Sequence, residues 1–252
     1  MAGVETILQG FSLGSDQGSL AFCGVTLIEG SKRILVDVAH NGRRTLLLDR
    51  LKERGLTPDD IDYIFLTHSH WDHMLNIDLF PHAKVLIHPV EREYAKKPLD
   101  TDWATPAYAT MILESTQLQE VREGDEVDDG VSVIETPGHS RGSMALLLRS
   151  QDGTTAICGD ALPNALSVKT GLPRIVFWDE QEAKSSIRKL LDSATSFHPG
   201  HDRPFHVSDA GAITYLQPTG LRLFGLPEPS DGDGGLALTY AMDQSSETQI
   251  AL

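Results

Sequence analysis

Two cysteines, Cys23 and Cys158, are all that a chain of 252 residues contains. They are too few and too far apart for a disulfide framework or a thiolate zinc site. Both are expected to be small buried hydrophobes in a reducing compartment. Basic residues are scarce as well: 21 Lys and Arg stand against 36 Asp and Glu, a formal net charge of -15. Such a surface repels phosphate backbones and anionic membranes on average, which argues against a nucleic-acid partner. Nowhere do about 18 apolar residues run together, and no basic residue precedes the apolar stretch of "MAGVETILQGFSLGS". The expectation is a cytoplasmic protein without a membrane span. The remainder, 40% hydrophobic and 23% charged, is ordinary globular composition with enough apolar content for a substantial core.

Strand-like patterns open the chain. "ETILQGFSL", "SLAFCGVTLIEG" and "KRILVDVA" are apolar or alternating and are punctuated by Gly, Ser and Asp. "RRTLLLDRLKERGL" then places Leu46, Leu47 and Leu51 at helical spacing, with Gly55 and Pro58 as stops. "IDYIFLT" and "AKVLIHP" are short, continuously apolar runs of the kind buried on both faces, and a helix starting near Asp72 between them makes a βαβ unit. From Glu91 to Gln117 no clear amphipathic order is visible, the mark of an insertion that shapes a pocket. "QLQEVREGDEV", "VSVIETP", "MALLLRS" and "TTAICGD" predict a second, antiparallel-rich sheet, followed by the helix "DEQEAKSSIRKLLDSA". One domain over 1–226 is expected, with an acidic, Gly/Ser-rich tail over 227–252 whose "LALTYAM" stretch is apolar enough to dock.

The histidines carry the chemistry. "THSHWDH" puts His68, His70, Asp72 and His73 directly after an apolar run, a pattern that chance produces on the order of once per thousand chains of this composition. Residues two apart on extended backbone point the same way, so His68 and His70 can converge on one ion, while Asp72 and His73 face a second position beside it. Imidazole and carboxylate donors without thiolate suit catalytic zinc, manganese or iron. The missing donors must come from afar, and the candidates are His139 in "TPGHS", Asp160 in "CGD" and His201 in "HPGH". His201 is preferred to His198 and His206 for its Gly-His setting. His40, His82 and His88 are expected to be solvated or packed, not ligating.

This order of motifs, HxHxDH then PGH, GD and GH, resembles the metallo-β-lactamase superfamily along residues 5–216. The resemblance implies an α/β fold, a four-layer αββα sandwich of two mixed sheets flanked by helices, with a dinuclear site at one sheet edge. It also implies that His68, His70 and His139 hold the first metal, that Asp72, His73 and His201 hold the second, and that Asp160 bridges. Asp37 matches the Asp of the family's Asp-Thr-Gly turn, whereas Val38 and Ala39 do not match the rest. The cofactors expected are two divalent ions, zinc first, with iron or manganese as alternatives.

Two such ions would supply hydroxide at neutral pH and polarise a carbonyl or phosphoryl oxygen. Asp72 is the candidate catalytic residue, able to take the proton shed as the attack proceeds. The reading is a metal-dependent hydrolase of a small ester-like substrate, lactone first and thioester second. Phosphodiesterase and ribonuclease activities, and a mononuclear-iron persulfide dioxygenase, stand as alternatives. Having both Asp160 and His73 argues against antibiotic hydrolysis. Homoserine lactone lactonases place a tyrosine three residues after the bridging aspartate; here that residue is Pro163, and Tyr108 and Tyr215 are the substitutes considered. Trp71 is expected either to line the pocket or to shield the site. Trp103, Tyr108 and Met111 could form an acyl pocket, a homodimer contact or core.

Overall fold

In the computed structural model, residues 2–16, 18–19, 21–151, 153–224 and 237–242 are described. After β1 (Gly3–Leu8), a two-stranded ribbon of β2 (Gly14–Ser15) and β3 (Gly18–Ser19) precedes β4 (Val25–Glu29) and β5 (Arg33–Val36). β1, β4 and β5 are antiparallel neighbours, and β6 (Tyr63–Phe65), β7 (Lys84–Ile87) and β8 (Gln117–Glu120) extend the sheet in parallel. Helices α1 (Arg44–Glu53), α2 (Trp71–Met74), α3 (Pro89–Lys96) and α4 (Ala109–Glu114) make the crossovers that parallel neighbours require.

The second sheet has the order β15-β14-β13-β12-β11-β10-β9, built from β9 (Glu126–Asp128), β10 (Val131–Glu135), β11 (Met144–Ser150), β12 (Gly153–Gly159), β13 (Ser196–Pro199), β14 (Phe205–Val207) and β15 (Ile213–Tyr215). Only β12 and β13 pair in parallel, across a connection that contains α5 (Ala165–Thr170) and α6 (Glu180–Ser193). Asp179 starts α6 by accepting from the backbone N–H groups of Gln181 and Glu182, both at 2.8 Å. A hairpin of β16 (Thr219–Phe224) and β17 (Ala237–Met242) follows. Ala237–Met242 of the "LALTYAM" stretch therefore pair with β16, while "PEPSDGDGG" and Leu236 lie outside the described residues.

Strand alternation builds the layers. Ile34, Val36, Phe65 and Leu86 face Val133, Met144, Leu146 and Ile157 of the other sheet, whereas Leu35, Ile64, Val85 and Ile87 face Leu47, Leu51 and Leu113 of the helices. The second sheet repeats this with Ala145, Leu147, Ala156 and Cys158 turned toward Ile187 and Leu190 of α6. Both sheets are apolar on both faces, which explains the continuous runs in the sequence. The expected four-layer αββα sandwich is the fold. Leu47 and Leu51 are buried as predicted, but Leu46 is 41% exposed.

One expectation about the sheets needs revision. "QLQEVREGDEV" divides between them: Gln117–Glu120 is the parallel edge strand β8 of the first sheet, and Glu126–Asp128 is the edge strand β9 of the second. An edge strand that is mostly polar carries too little apolar pattern to say which sheet it joins. Among the described residues, no helix is long and apolar enough to cross a membrane.

Candidate metal centre

Every segment singled out for its chemistry leaves a strand at the same edge. β10, β12 and β13 share one direction, because β10 and β12 are both antiparallel to β11 and β13 is parallel to β12. The ends of β5 and β6 meet them where the Met144 N–H at the start of β11 donates to the Thr67 carbonyl, at 3.0 Å. Loops after β6, β10, β12 and β13 thus deliver His68–His73, His139, Asp160 and His201 to one place.

All seven expected residues converge there, each no more than 9% exposed. His68 Nε2 and His139 Nε2 lie 2.9 and 3.0 Å from His70 Nδ1. Asp72 Oδ2 lies 3.4 Å from His201 Nε2 and 3.6 Å from His73 Nε2. Asp160 stands between these two groups, with Oδ2 3.1 Å from His201 Nε2 and 3.4 Å from His139 Nε2, and Oδ1 3.5 Å from His73 Nε2. The ligand atoms form three overlapping sets: His68, His70 and His139; His68, His73 and Asp160; Asp72, His73 and His201. Within each set they lie within 4.8 Å of one another. Gly200 is required for this approach, because a Cβ there would overlap Asp160 Oδ1 and the Gly159 backbone.

The outward nitrogens decide what the inward ones offer. His73 Nδ1 donates to Asp37 Oδ2 at 2.7 Å, His139 Nδ1 to the Ile175 carbonyl at 2.9 Å, His201 Nδ1 to the Phe11 carbonyl at 3.3 Å, and His70 Nε2 to Asp102 Oδ2 at 3.4 Å. His68 Nδ1 donates to Thr67 Oγ1 at 2.9 Å, since that hydroxyl itself donates to Asp37. Those acceptors hold one proton of each ring on the outside and leave five ring nitrogens facing inward as potential metal donors. Buried lone pairs at such separations repel unless a cation lies between them. His73 Nε2 and Asp160 Oδ1 are also buried without a hydrogen-bond partner. The donor set and these orphaned atoms fit divalent metal ions.

Electrostatics agree. Burial holds His68 well below its ordinary pKa and His139 at about 4, so both offer neutral nitrogen. Burial would also lower His73 and His201, yet Asp72 beside His73 and Asp160 beside His201 outweigh it and raise both, His73 strongly. The Asp160 carboxyl, which burial alone would raise, is held well below the usual range by His201 and His73. This half of the pocket favours a cation, as proton or metal.

Three carboxylates brace the site. Asp37 accepts from Thr67 N and Oγ1 as well as from His73, and it does so from left-handed backbone: φ is 57° at Asp37 and 59° at Ala39. Two such residues without glycine store on the order of 1–3 kcal/mol each. The turn is held by Val38 N to the His73 carbonyl at 2.8 Å and by Asn76 Nδ2 to the Val38 and His40 carbonyls. Sequence reasoning singled out Asp37 only as a match to the family's Asp-Thr-Gly turn and missed the other two. Glu91 of α3 is fully buried and takes Ser69 N and Oγ on one oxygen and Gly142 N and Ser140 Oγ on the other, joining the His68–His70 loop to the His139 loop. Asp102 accepts from Ala104 N, Thr105 N, Thr105 Oγ1, Tyr94 Oη and His70 Nε2.

Aromatic rings rim the centre. The Phe177 ring lies 5.0 Å from His70 and 5.6 Å from His139, and Trp103 lies edge-on to it at 5.3 Å. Trp71 is partly exposed and packs at 5.1 Å on His40, which stacks on Phe22. Trp103, Tyr108 and Met111 are 67%, 49% and 75% exposed, so they are not core. A separate groove of about 890 Å³, lined by residues that include Arg44, Phe80, Tyr108 and Ile112, contains none of the seven. Tyr215 Oη donates to Asp202, and the Pro163 carbonyl accepts from His201 N at 2.7 Å.

The other histidines fall outside the cluster. His198 Nδ1 meets Thr6 Oγ1 at 3.2 Å, His206 Nδ1 meets Ser196 Oγ at 3.4 Å, His88 pairs with Glu135 at 2.9 Å, and His82 is largely exposed. Both cysteines are buried, and burial pushes both thiols up. Cys158 donates weakly to the Ala156 carbonyl, while Cys23 donates to the Asp72 carbonyl behind the site.

Known proteins resemble this chain in sequence and in fold. A metallo-beta-lactamase domain-containing protein 1 of Xenopus laevis is 30% identical over 214 residues, which cover 83% of this chain and 84% of that one. An N-acyl homoserine lactonase of Bacillus thuringiensis is 29% identical over 183 residues, covering 70% of this chain and 68% of that one. Among solved structures, a probable metal-dependent hydrolase of Staphylococcus aureus superposes with a TM-score of 0.68 at 18% identity, over 84% of this chain and 94% of that one. A quorum-quenching N-acyl homoserine lactone lactonase superposes with a TM-score of 0.61 at 22% identity, over 76% of this chain and 85% of that one. Residues 20–201 match the Metallo-beta-lactamase superfamily model. On that match, the convergent His/Asp cluster and the αββα fold, the chain belongs to the metallo-beta-lactamase superfamily of metal-dependent hydrolases.

Proposed function

We propose that the seven residues bind two divalent ions, zinc by preference, and that the chain hydrolyses a small ester-like substrate, a lactone before a thioester. The observation that carries the dinuclear reading is Asp160, one carboxylate within 3.5 Å of imidazoles in both donor groups. His68, His70 and His139 would hold one ion, Asp72, His73 and His201 the other, and Asp160 both. Bound there, such ions would acidify water and polarise an acyl oxygen.

The chain's own groups do the rest. Asp72, at the start of α2 and still 6% exposed, turns Oδ2 toward His73 Nε2 and His201 Nε2 and can accept a proton lost by an attacking water. Phe177 and Trp103 give an apolar wall beside the first donor group, suited to an acyl portion. The net charge of -15 disfavours a nucleic-acid substrate. Lactone comes first because relatives named N-acyl homoserine lactonase match over 70% of this chain.

The test joins elemental analysis of the purified protein to a panel of lactones, thioesters and bis-p-nitrophenyl phosphate. Zinc near two per chain with lactone turnover is the expected result. Iron near one per chain with oxygen-dependent turnover would replace this reading by an oxygenase, and a fully metallated protein that cleaves nothing in the panel would end it.

A further inference from the structure

We propose that Asp102 is a positioning residue of the metal centre, fixing which nitrogen His70 offers to the ion; this rests on the metal-binding reading above. Four of the five clustered histidines turn Nε2 inward, whereas His70 turns Nδ1 inward, toward His68 Nε2 at 2.9 Å and His139 Nε2 at 3.0 Å. His70 can offer Nδ1 only while its proton sits on Nε2, and the group facing Nε2 is Asp102 Oδ2 at 3.4 Å.

Asp102 is built as a pure acceptor. Oδ1 takes the backbone N–H groups of Ala104 and Thr105, both at 3.0 Å. Oδ2 takes Tyr94 Oη at 2.9 Å and Thr105 Oγ1 at 2.8 Å, besides His70. Asp102 is 5% exposed and His70 2%, so water competes little. Tyr94 and Glu91 stand three apart on α3, both buried against the site. One short helix therefore braces the first donor group from two directions, through Tyr94 to Asp102 and through Glu91 to Ser69 and Ser140.

The isosteric change Asp102→Asn isolates the effect. Backbone N–H groups cannot rotate, so the amide oxygen must stay on the Oδ1 side and the new NH2 must face His70 Nε2. Hydroxyls can turn away, but His70 can avoid a donor-donor clash only by moving its proton to Nδ1, which removes the inward lone pair. Zinc affinity, read by competition with a chromophoric chelator on the full chain, should fall about 10- to 100-fold. Tyr94→Phe, which removes a donor without reversing polarity, should cost less than Asp102→Asn.

A second readout needs no variant. In the zinc-loaded wild type, 15N NMR should show His70 coordinated through Nδ1, with a downfield, exchange-protected Nε2 proton. A His70 bound through Nε2, or an Asp102→Asn chain with wild-type zinc affinity, overturns this proposal and leaves the metal site standing. A wild type that binds no zinc overturns both.

Discussion

Asp72 separates two roles that one carboxylate can play. If it only ligates, Asp72→Asn should remove metal and activity together. As proton acceptor it should lose more: turnover is expected to fall by about 10²-fold or more while metal content per chain stays above half of wild type. Steady-state kinetics beside elemental analysis check this, and equal losses would reduce Asp72 to a ligand. The seven clustered residues were legible because their types are rare and their spacing is short: three histidines and an aspartate in "THSHWDH", then histidines and an aspartate after Gly where strands end. Glu91 and Asp102 were not legible. A carboxylate in the sequence reads as solvated unless its donors are known, and these donors come from Ser69, Ser140, Gly142, Tyr94 and Thr105: two serines at positions to which the histidine motifs assign no chemistry, and three residues outside those motifs.

At the scale of elements, α3 shows why the Glu91–Gln117 stretch looked disordered in pattern. Its buried positions are Glu91, Tyr94 and Ala95, a proper helical stripe with a carboxylate at its head, so hydrophobic periodicity misses it. The strands of the two sheets were readable because both faces are apolar, and only β8 was assigned to the wrong sheet. Glu91 also provides an element-level prediction. Each of its oxygens faces one backbone N–H and one hydroxyl, so Glu91→Gln must set an NH2 against Ser69 N or Gly142 N. We expect about 2 to 3 kcal/mol lost in urea unfolding of the metal-free chain. A loss below about 0.5 kcal/mol would mean that α3 does not brace the two loops.

At the scale of the whole molecule, His198 of β13 contacts Thr6 of β1 across the two sheets. Burial lowers His198 to about 4 from an unfolded value near 6.5. With the folded pKa depressed, the unfolded chain binds the extra proton, so stability is full above pH 6.5 and declines as pH falls toward 4. The loss is about 3 kcal/mol from this residue. His198→Gln should flatten the pH dependence of metal-free unfolding in that window by about 1 kcal/mol per pH unit; an unchanged slope would contradict a neutral buried imidazole. The molecule as a whole, sheets stacked so that the loops of both meet at one edge, exists in this account to gather metal donors. Zinc-edge anomalous diffraction from crystals grown with zinc tests that most directly. Two peaks are predicted, one among His68, His70 and His139 and one among Asp72, His73 and His201, with Asp160 between them. A map with no peak at that edge, or with zinc only at other residues, would contradict the account.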